Sequence, residues 1–155
     1  KKQGTTAFTK DEIILKANQK TTFEYQYLNQ SAVQLNAKNE NLKLVFSNEV
    51  KDSLVINYDA KLKTFSVDRR HSGIVNFEKS FGEKIHNTKT PNITTETIDY
   101  HIIVDWSSIE IFLNGGVYSF TEQIFPNKPY TKLSIQSDRN QEIKNLTISK
   151  IKGIW

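Results

Sequence analysis

At 155 residues the chain has room for one domain with a single buried core, and nothing in its length calls for a second. An apolar share of 37%, with nine Phe and six Tyr against six Gly and three Pro, excludes a disordered or low-complexity protein and points to a β-rich globule. The net charge of +4 comes mostly from Lys spread singly along the chain; only Lys1-Lys2 and Arg69-Arg70-His71 cluster, and neither carries the interleaved aromatics of a base-stacking surface, so no nucleic-acid partner is expected.

Residues 1–10 are polar, with Gly4, Thr5 and Thr6, and read as a linker or a frayed lead-in strand; 11–155 then form the domain. Ile13, Ile14 and Leu15 are the first apolar series. From Thr21 to Leu28, Phe23, Tyr25 and Tyr27 alternate with Thr22, Glu24 and Gln26, which is the period of a strand. Val33, Leu35 and Ala37 continue the alternation, Asn39-Glu40-Asn41 breaks it, and Leu42, Leu44 and Phe46 restart it. Leu54 to Tyr58 and Thr64 to Asp68 are two strands around the short turn Asp59-Ala60-Lys61, a hairpin, and Ser72-Gly73 turns the chain again before Ile74 to Phe77. Phe81 to Thr97, with Gly82, Pro91 and many Thr and Asn, reads as the longest irregular loop.

His101 to Phe120 carries the clearest pattern. Ile102 to Val104 is an apolar run; Asp105, Ser107 and Ser108 are residues that bond nearby backbone and reverse the chain. Ile109, Ile111 and Leu113 alternate with Glu110 and Phe112, and Asn114-Gly115-Gly116 supplies a hairpin turn back into Val117 to Thr121. The expected product is a three-stranded antiparallel meander. Leu133 and Ile135, then Leu146, Ile148 and Ile151, supply closing strands. Helical spacing never persists for three turns, so the short strands indicate a sandwich or a barrel.

The same residues carry a family resemblance. Val104-Asp105-x-Ser107-Ser108-Ile109-Glu110-Ile111-Phe112-x-Asn114-x-Gly116 resembles the signature of the C-terminal β-sandwich module of glycoside hydrolase family 32, the invertases, inulinases and levanases. Ile124-Phe125-Pro126 is similar to a tripeptide that follows the hairpin there, and Asp68-Arg69-Arg70-x-Ser72-Gly73 to the family's Asp-Arg-x-x-Ser-Gly segment. The match spans about Leu42 to Trp155, with one departure: Trp106 stands where the family usually has Arg. The resemblance implies an all-β fold, a jelly-roll or concanavalin-like sandwich of two antiparallel sheets with essentially no helix. It also implies a longer parent, with an N-terminal β-propeller catalytic domain as partner and an extracellular or cell-envelope location. The absence of an initiator Met fits a trimmed piece, and Lys152 to Trp155 resemble the natural end of the module.

In relatives, fructosyl bonds are cut with retention by carboxylates within Asn-Asp-Pro-Asn, Arg-Asp-Pro and Glu-Cys motifs of the propeller. Here the three prolines follow Thr90, Phe125 and Lys128, and there is no Cys, so no such motif exists in the chain. The same lack of Cys removes disulfides and thiolate metal sites. His71, His86 and His101 have no ligand spacing, and neither a metal nor a cofactor is expected. No apolar run approaches the ~20 residues of a membrane span.

Among the carboxylates, Glu110 with Asp105 and Asp68 is the tempting pair-former of a retaining mechanism. The preferred reading is structural: Asp68 and Asp105 cap turns, and Glu110 faces solvent or accepts from Arg69 or Arg70. Trp106, Tyr118, Tyr130 and Trp155 are the candidate sugar-stacking aromatics, with Trp106, in its polar turn, the foremost; its competing use is packing against the missing propeller. The expected role is thus a non-catalytic module that stabilises a propeller, shapes its substrate rim or forms a homodimer, with a stand-alone fructan-binding module as the alternative. Sequons at Asn29, Asn92 and Asn145 would be used only in a eukaryotic secretory pathway.

Overall fold

A computed structural model describes residues 8–73 and 85–151. Its twelve strands are β1 (Phe8–Leu15), β2 (Lys20–Glu24), β3 (Ser31–Lys38), β4 (Leu42–Ser47), β5 (Ser53–Asp59), β6 (Thr64–His71), β7 (Ile85–Lys89), β8 (Thr97–Val104), β9 (Ser108–Leu113), β10 (Tyr118–Gln123), β11 (Lys132–Gln136) and β12 (Gln141–Lys150). They form two six-stranded antiparallel sheets, β1-β12-β3-β8-β9-β10 (sheet A) and β2-β11-β4-β5-β6-β7 (sheet B). The only helical pieces among the described residues are single 3-10 turns at Leu28–Gln30 and Asn114–Gly116. The expected sandwich is present.

The two-residue period decides which side chains meet between the sheets. β3 buries Val33, Leu35 and Ala37, β4 Leu42, Leu44 and Phe46, β5 Leu54, Ile56 and Tyr58, and β9 Ile109, Ile111 and Leu113, each alternating with exposed or half-exposed neighbours. Aromatic pairs close both open edges of the sandwich. Phe65 of β6 stacks on Phe120 of β10 with centroids 4.7 Å apart, and Phe8 of β1 meets Phe23 of β2 at 5.3 Å. Each such pair adds roughly 0.5–1.5 kcal/mol beyond its buried area.

Three expectations shift. The strand begun at Thr21 ends at Glu24 rather than at Leu28. Leu28 is fully buried, and to bury it the chain turns, with Leu28 N–H donating to the Tyr25 carbonyl (3.2 Å), and crosses from sheet B to sheet A. Residues 81–97 are not one loop: 81–84 lie outside the described residues, but Ile85–Lys89 form β7, which pairs with β6 from Asp68↔Ile85 to Thr64↔Lys89, and β8 already starts at Thr97. β7 is an edge strand whose residues are exposed or half-exposed, so it lacks the apolar alternation that marks a strand in sequence. Phe8 to Lys10 lie in β1, inside the segment read as linker or lead-in strand. The strand expected at Ile74 to Phe77 lies outside the described residues.

Candidate functional site

Antiparallel register gathers most of the family-like segments, residues 68–73, 104–108 and 124–126, at one end of the sandwich, with Asn114–Gly116 at the other. In sheet A, Phe8 pairs with Ile148, Lys150 with Ser31, Ser31 with Val104, and Ser108 with Gln123. In sheet B, Glu24 pairs with Lys132, Lys132 with Ser47, Ser47 with Ser53, and Ser53 with His71. The β4–β5, β8–β9 and β10–β11 connections, the end of β6 and the first described residue therefore emerge together.

At this end the motif residues lock one connection to the next. Asp105 accepts from the Trp106 amide (2.7 Å) and its own amide donates to the Ser108 carbonyl (2.9 Å), which closes the β8–β9 turn. The Ser107 carbonyl accepts from Ile124 N–H (3.0 Å) and so ties that turn to the start of the β10–β11 link. Ser72 is fully buried; its hydroxyl donates to the Arg69 carbonyl (2.7 Å), and its own carbonyl accepts from the Tyr130 hydroxyl (2.5 Å). Gly73 has φ +153°, and a Cβ there would lie 2.1 Å from the Phe125 carbonyl oxygen and 2.5 Å from Pro126 Cα. The two motif segments touch through backbone, which is why a residue without a side chain stands at that point.

The charged groups divide by face. Asp68 accepts from the Arg70 amide (3.0 Å), Nε (3.0 Å) and Nη2 (2.9 Å). These bonds, foremost the side-chain ones, hold the Asp68 carboxyl below the usual carboxylate range. Arg69 turns inward and meets Glu122, not Glu110: Nη1 lies 3.4 Å from Glu122 Oε1 and donates to the Gln123 carbonyl at 3.2 Å. His86 Nδ1 stands 2.5 Å from Glu122 Oε2. Glu122 on β10, His86 on β7 and Arg69 on β6 thus bridge the two sheets at the edge where β7 and β10 do not pair. Sequence reading missed Glu122, although the hairpin register sets it opposite the inward Ile109.

The remaining sites fall as follows. Glu110 pairs with Thr121 and Ile103 on the outer face of sheet A, whereas Asp68 lies on the outer face of sheet B opposite Val55, so the sandwich stands between these two carboxylates. Asn114 (φ 50°) accepts from the Asp99 amide (2.9 Å) and donates to Thr95 Oγ1 (3.0 Å), while Gly116 turns at φ 98°. The aromatic candidates do not converge. Trp106 is 53% exposed at the motif end; Tyr118, whose hydroxyl accepts from the Asn92 amide (3.0 Å), sits at the opposite end; Tyr130 is fully buried. Tyr130 therefore offers no ring face to a sugar, because its hydroxyl is consumed by Ser72 and its ring by the core. Burial first, then the nearby Asp52, pushes its hydroxyl pKa upward. Trp155 lies outside the described residues. Among the described residues no group of three His, Asp or Glu could hold a metal ion, and no helix is long and apolar enough to cross a membrane.

Comparison with known proteins places this end in context. The family model described as "Glycosyl hydrolases family 32 C terminal" matches residues 2–150. The chain belongs to glycosyl hydrolase family 32, as its C-terminal module. This family 32 module is 30% identical over 106 residues to an extracellular exo-inulinase of Aspergillus awamori, covering 67% of the module and 19% of that protein. It is 27% identical over 130 residues to a sucrose-6-phosphate hydrolase of Streptococcus mutans, covering 84% of the module and 25% of that protein. In fold it superposes on the A. awamori exo-inulinase crystal structure with a TM-score of 0.74 at 22% identity, over 96% of the module and 29% of that chain. A fructofuranosidase of Schwanniomyces occidentalis gives the same TM-score at 17% identity, over 95% of the module and 33% of that chain. The module thus spans a third or less of these relatives.

Proposed function

We propose that this module is the non-catalytic C-terminal part of a secreted β-fructosidase and that its motif end is the surface held against the catalytic domain. The observation that carries this reading is positional. The first described strand starts at the motif end, and two of the large apolar side chains left exposed, Trp106 (53%) and Val50 (45%), stand in connections there. Trp106 is a large apolar ring in a polar turn, and such a ring suits a domain contact that excludes water. Surfaces between domains of one chain commonly bury about 600–1,500 Å². The relatives' names supply the rest: inulin and sucrose 6-phosphate are their substrates, and the A. awamori protein is extracellular.

The placement of the candidate acids among the described residues supports the non-catalytic reading. A retaining pair needs two carboxyl groups about 5 Å apart across a cleft. Glu110 and Asp68 occupy opposite outer faces, and Glu122 is bound by Arg69 and His86. The test is a sugar-release assay of the chain with sucrose, inulin and levan. No turnover above a mock purification is expected; turnover abolished by Glu110→Gln or Glu122→Gln would refute the reading.

A further inference from the structure

We propose that the outer face of sheet A carries a saccharide site of its own, formed by Gln34, Asn36, Asp99, His101, Asn145 and Thr147, which takes a neutral, polyhydroxylated ligand. These residues border a cleft of about 320 Å³, the size of one or two sugar rings by comparison with the ~300–1,000 Å³ of ordinary ligand pockets. Register brings them together from three strands: Thr147, Gln34, His101 and Phe112 form one row across β12, β3, β8 and β9, and Asn36 faces Asp99 in the next. The side chains are held before any ligand arrives. Asn145 Nδ2 donates to Asn36 Oδ1 (2.9 Å), Asn36 Nδ2 donates to Asp99 Oδ1, and the Asp99 amide is fixed by Asn114.

Two backbone features aim groups into this cleft rather than along the sheet. The β12 register slips between Lys144 and Thr147, and Asn145, inside that bulge, adopts φ 57°. Bulges of this type re-aim a side chain, and a left-handed non-glycine residue is uncommon enough to need a reason. Asn114, at φ 50° beside the rim residue Gly115, holds the Asp99 amide in place.

The chemistry of the lining selects the ligand. Amides, a hydroxyl, an imidazole and one carboxylate offer both donors and acceptors, which matches a hydroxyl-bearing molecule, each of whose groups is both. No Lys or Arg lines the cleft, which disfavours phosphates and nucleic acids. Beside it, the Phe112 ring lies half-exposed on the solvent face with its centroid 6.0 Å from that of His101, an apolar surface for the C–H face of a sugar ring. Gly115 on the rim belongs to the β9–β10 connection, at the end opposite the Trp106 turn, so this cleft stays open when the Trp106 end is covered.

The experiment is a ¹⁵N-NMR titration of the 155-residue chain with three separate probes: a short β-2,1-linked fructan, a short β-2,6-linked fructan and maltotriose. Saturable shifts are expected at Gln34, Asp99, His101 and Asn145 with at least one probe. Asp99→Ala and His101→Ala should each weaken that binding by roughly tenfold or more, with little change in unfolding midpoint, while Trp106→Ala leaves it intact. No saturable shift with any probe, shifts confined to the Trp106 turn, or full affinity in both variants would overturn the site. None of these results bears on the inter-domain reading, which concerns the other end.

Discussion

Glu122 is the residue on which the open edge of the sandwich depends. Its side chain is 6% exposed; it forms an ion pair with Arg69, 12% exposed, and a hydrogen bond with His86. Removing one member of a buried pair leaves the other desolvated, which commonly costs 3–5 kcal/mol. Arg69 keeps its bond to the Gln123 carbonyl, so Glu122→Ala should destabilise the chain by about 3 kcal/mol in urea unfolding, well beyond the effect of Glu110→Ala on the solvated face. The Asp68–Arg70 pair is different in kind. Its folded-state carboxyl is depressed, so it contributes stability above the ordinary Asp value of about 4 and loses that contribution as pH falls through the folded value. Because Asp68 and Arg70 are 21% and 43% exposed, the effect is small. Between pH 5 and pH 2 the urea midpoint of Asp68→Asn should therefore fall slightly less than that of the parent chain.

At the scale of elements, the inward period of two was readable wherever branched or aromatic residues filled it, which is why β3, β4, β5 and the β8–β9–β10 meander stand where the residues place them. β7 was illegible because an edge strand on a polar surface has no inward stripe to show. The alternation of Phe23, Tyr25 and Tyr27 ran past the end of β2 because a local pattern cannot report that Leu28 must reach the core. Turn chemistry at Asp105 and Asn114 was legible, since each caps backbone within a few residues or across one hairpin, whereas Asp68, read as a turn cap, stands inside β6 and holds the Arg70 amide there. The partners of Arg69 and Tyr130 were not, because they are set by the sheet-to-sheet crossing. One such crossing is Gly73 against Phe125-Pro126. Gly73→Ala should force those two backbones apart and cost roughly 2–4 kcal/mol, measured as a lowered denaturation midpoint.

At the scale of the molecule, the two sheets of the sandwich are fastened by aromatic pairs at both edges, and the segments at residues 68–73, 104–108 and 124–126 gather at one end. Those residues bond to one another rather than converging on a cleft, which is the arrangement of a shaped, stiff surface. Hydrogen–deuterium exchange, run on this chain alone and on a full-length enzyme that contains it, reads that surface directly. Amides of residues 48–52 and 105–107 should exchange faster in the isolated chain and become protected in the full-length enzyme, with the outer face of sheet A unchanged. Equal exchange at those residues in both proteins, with new protection elsewhere, would contradict the account.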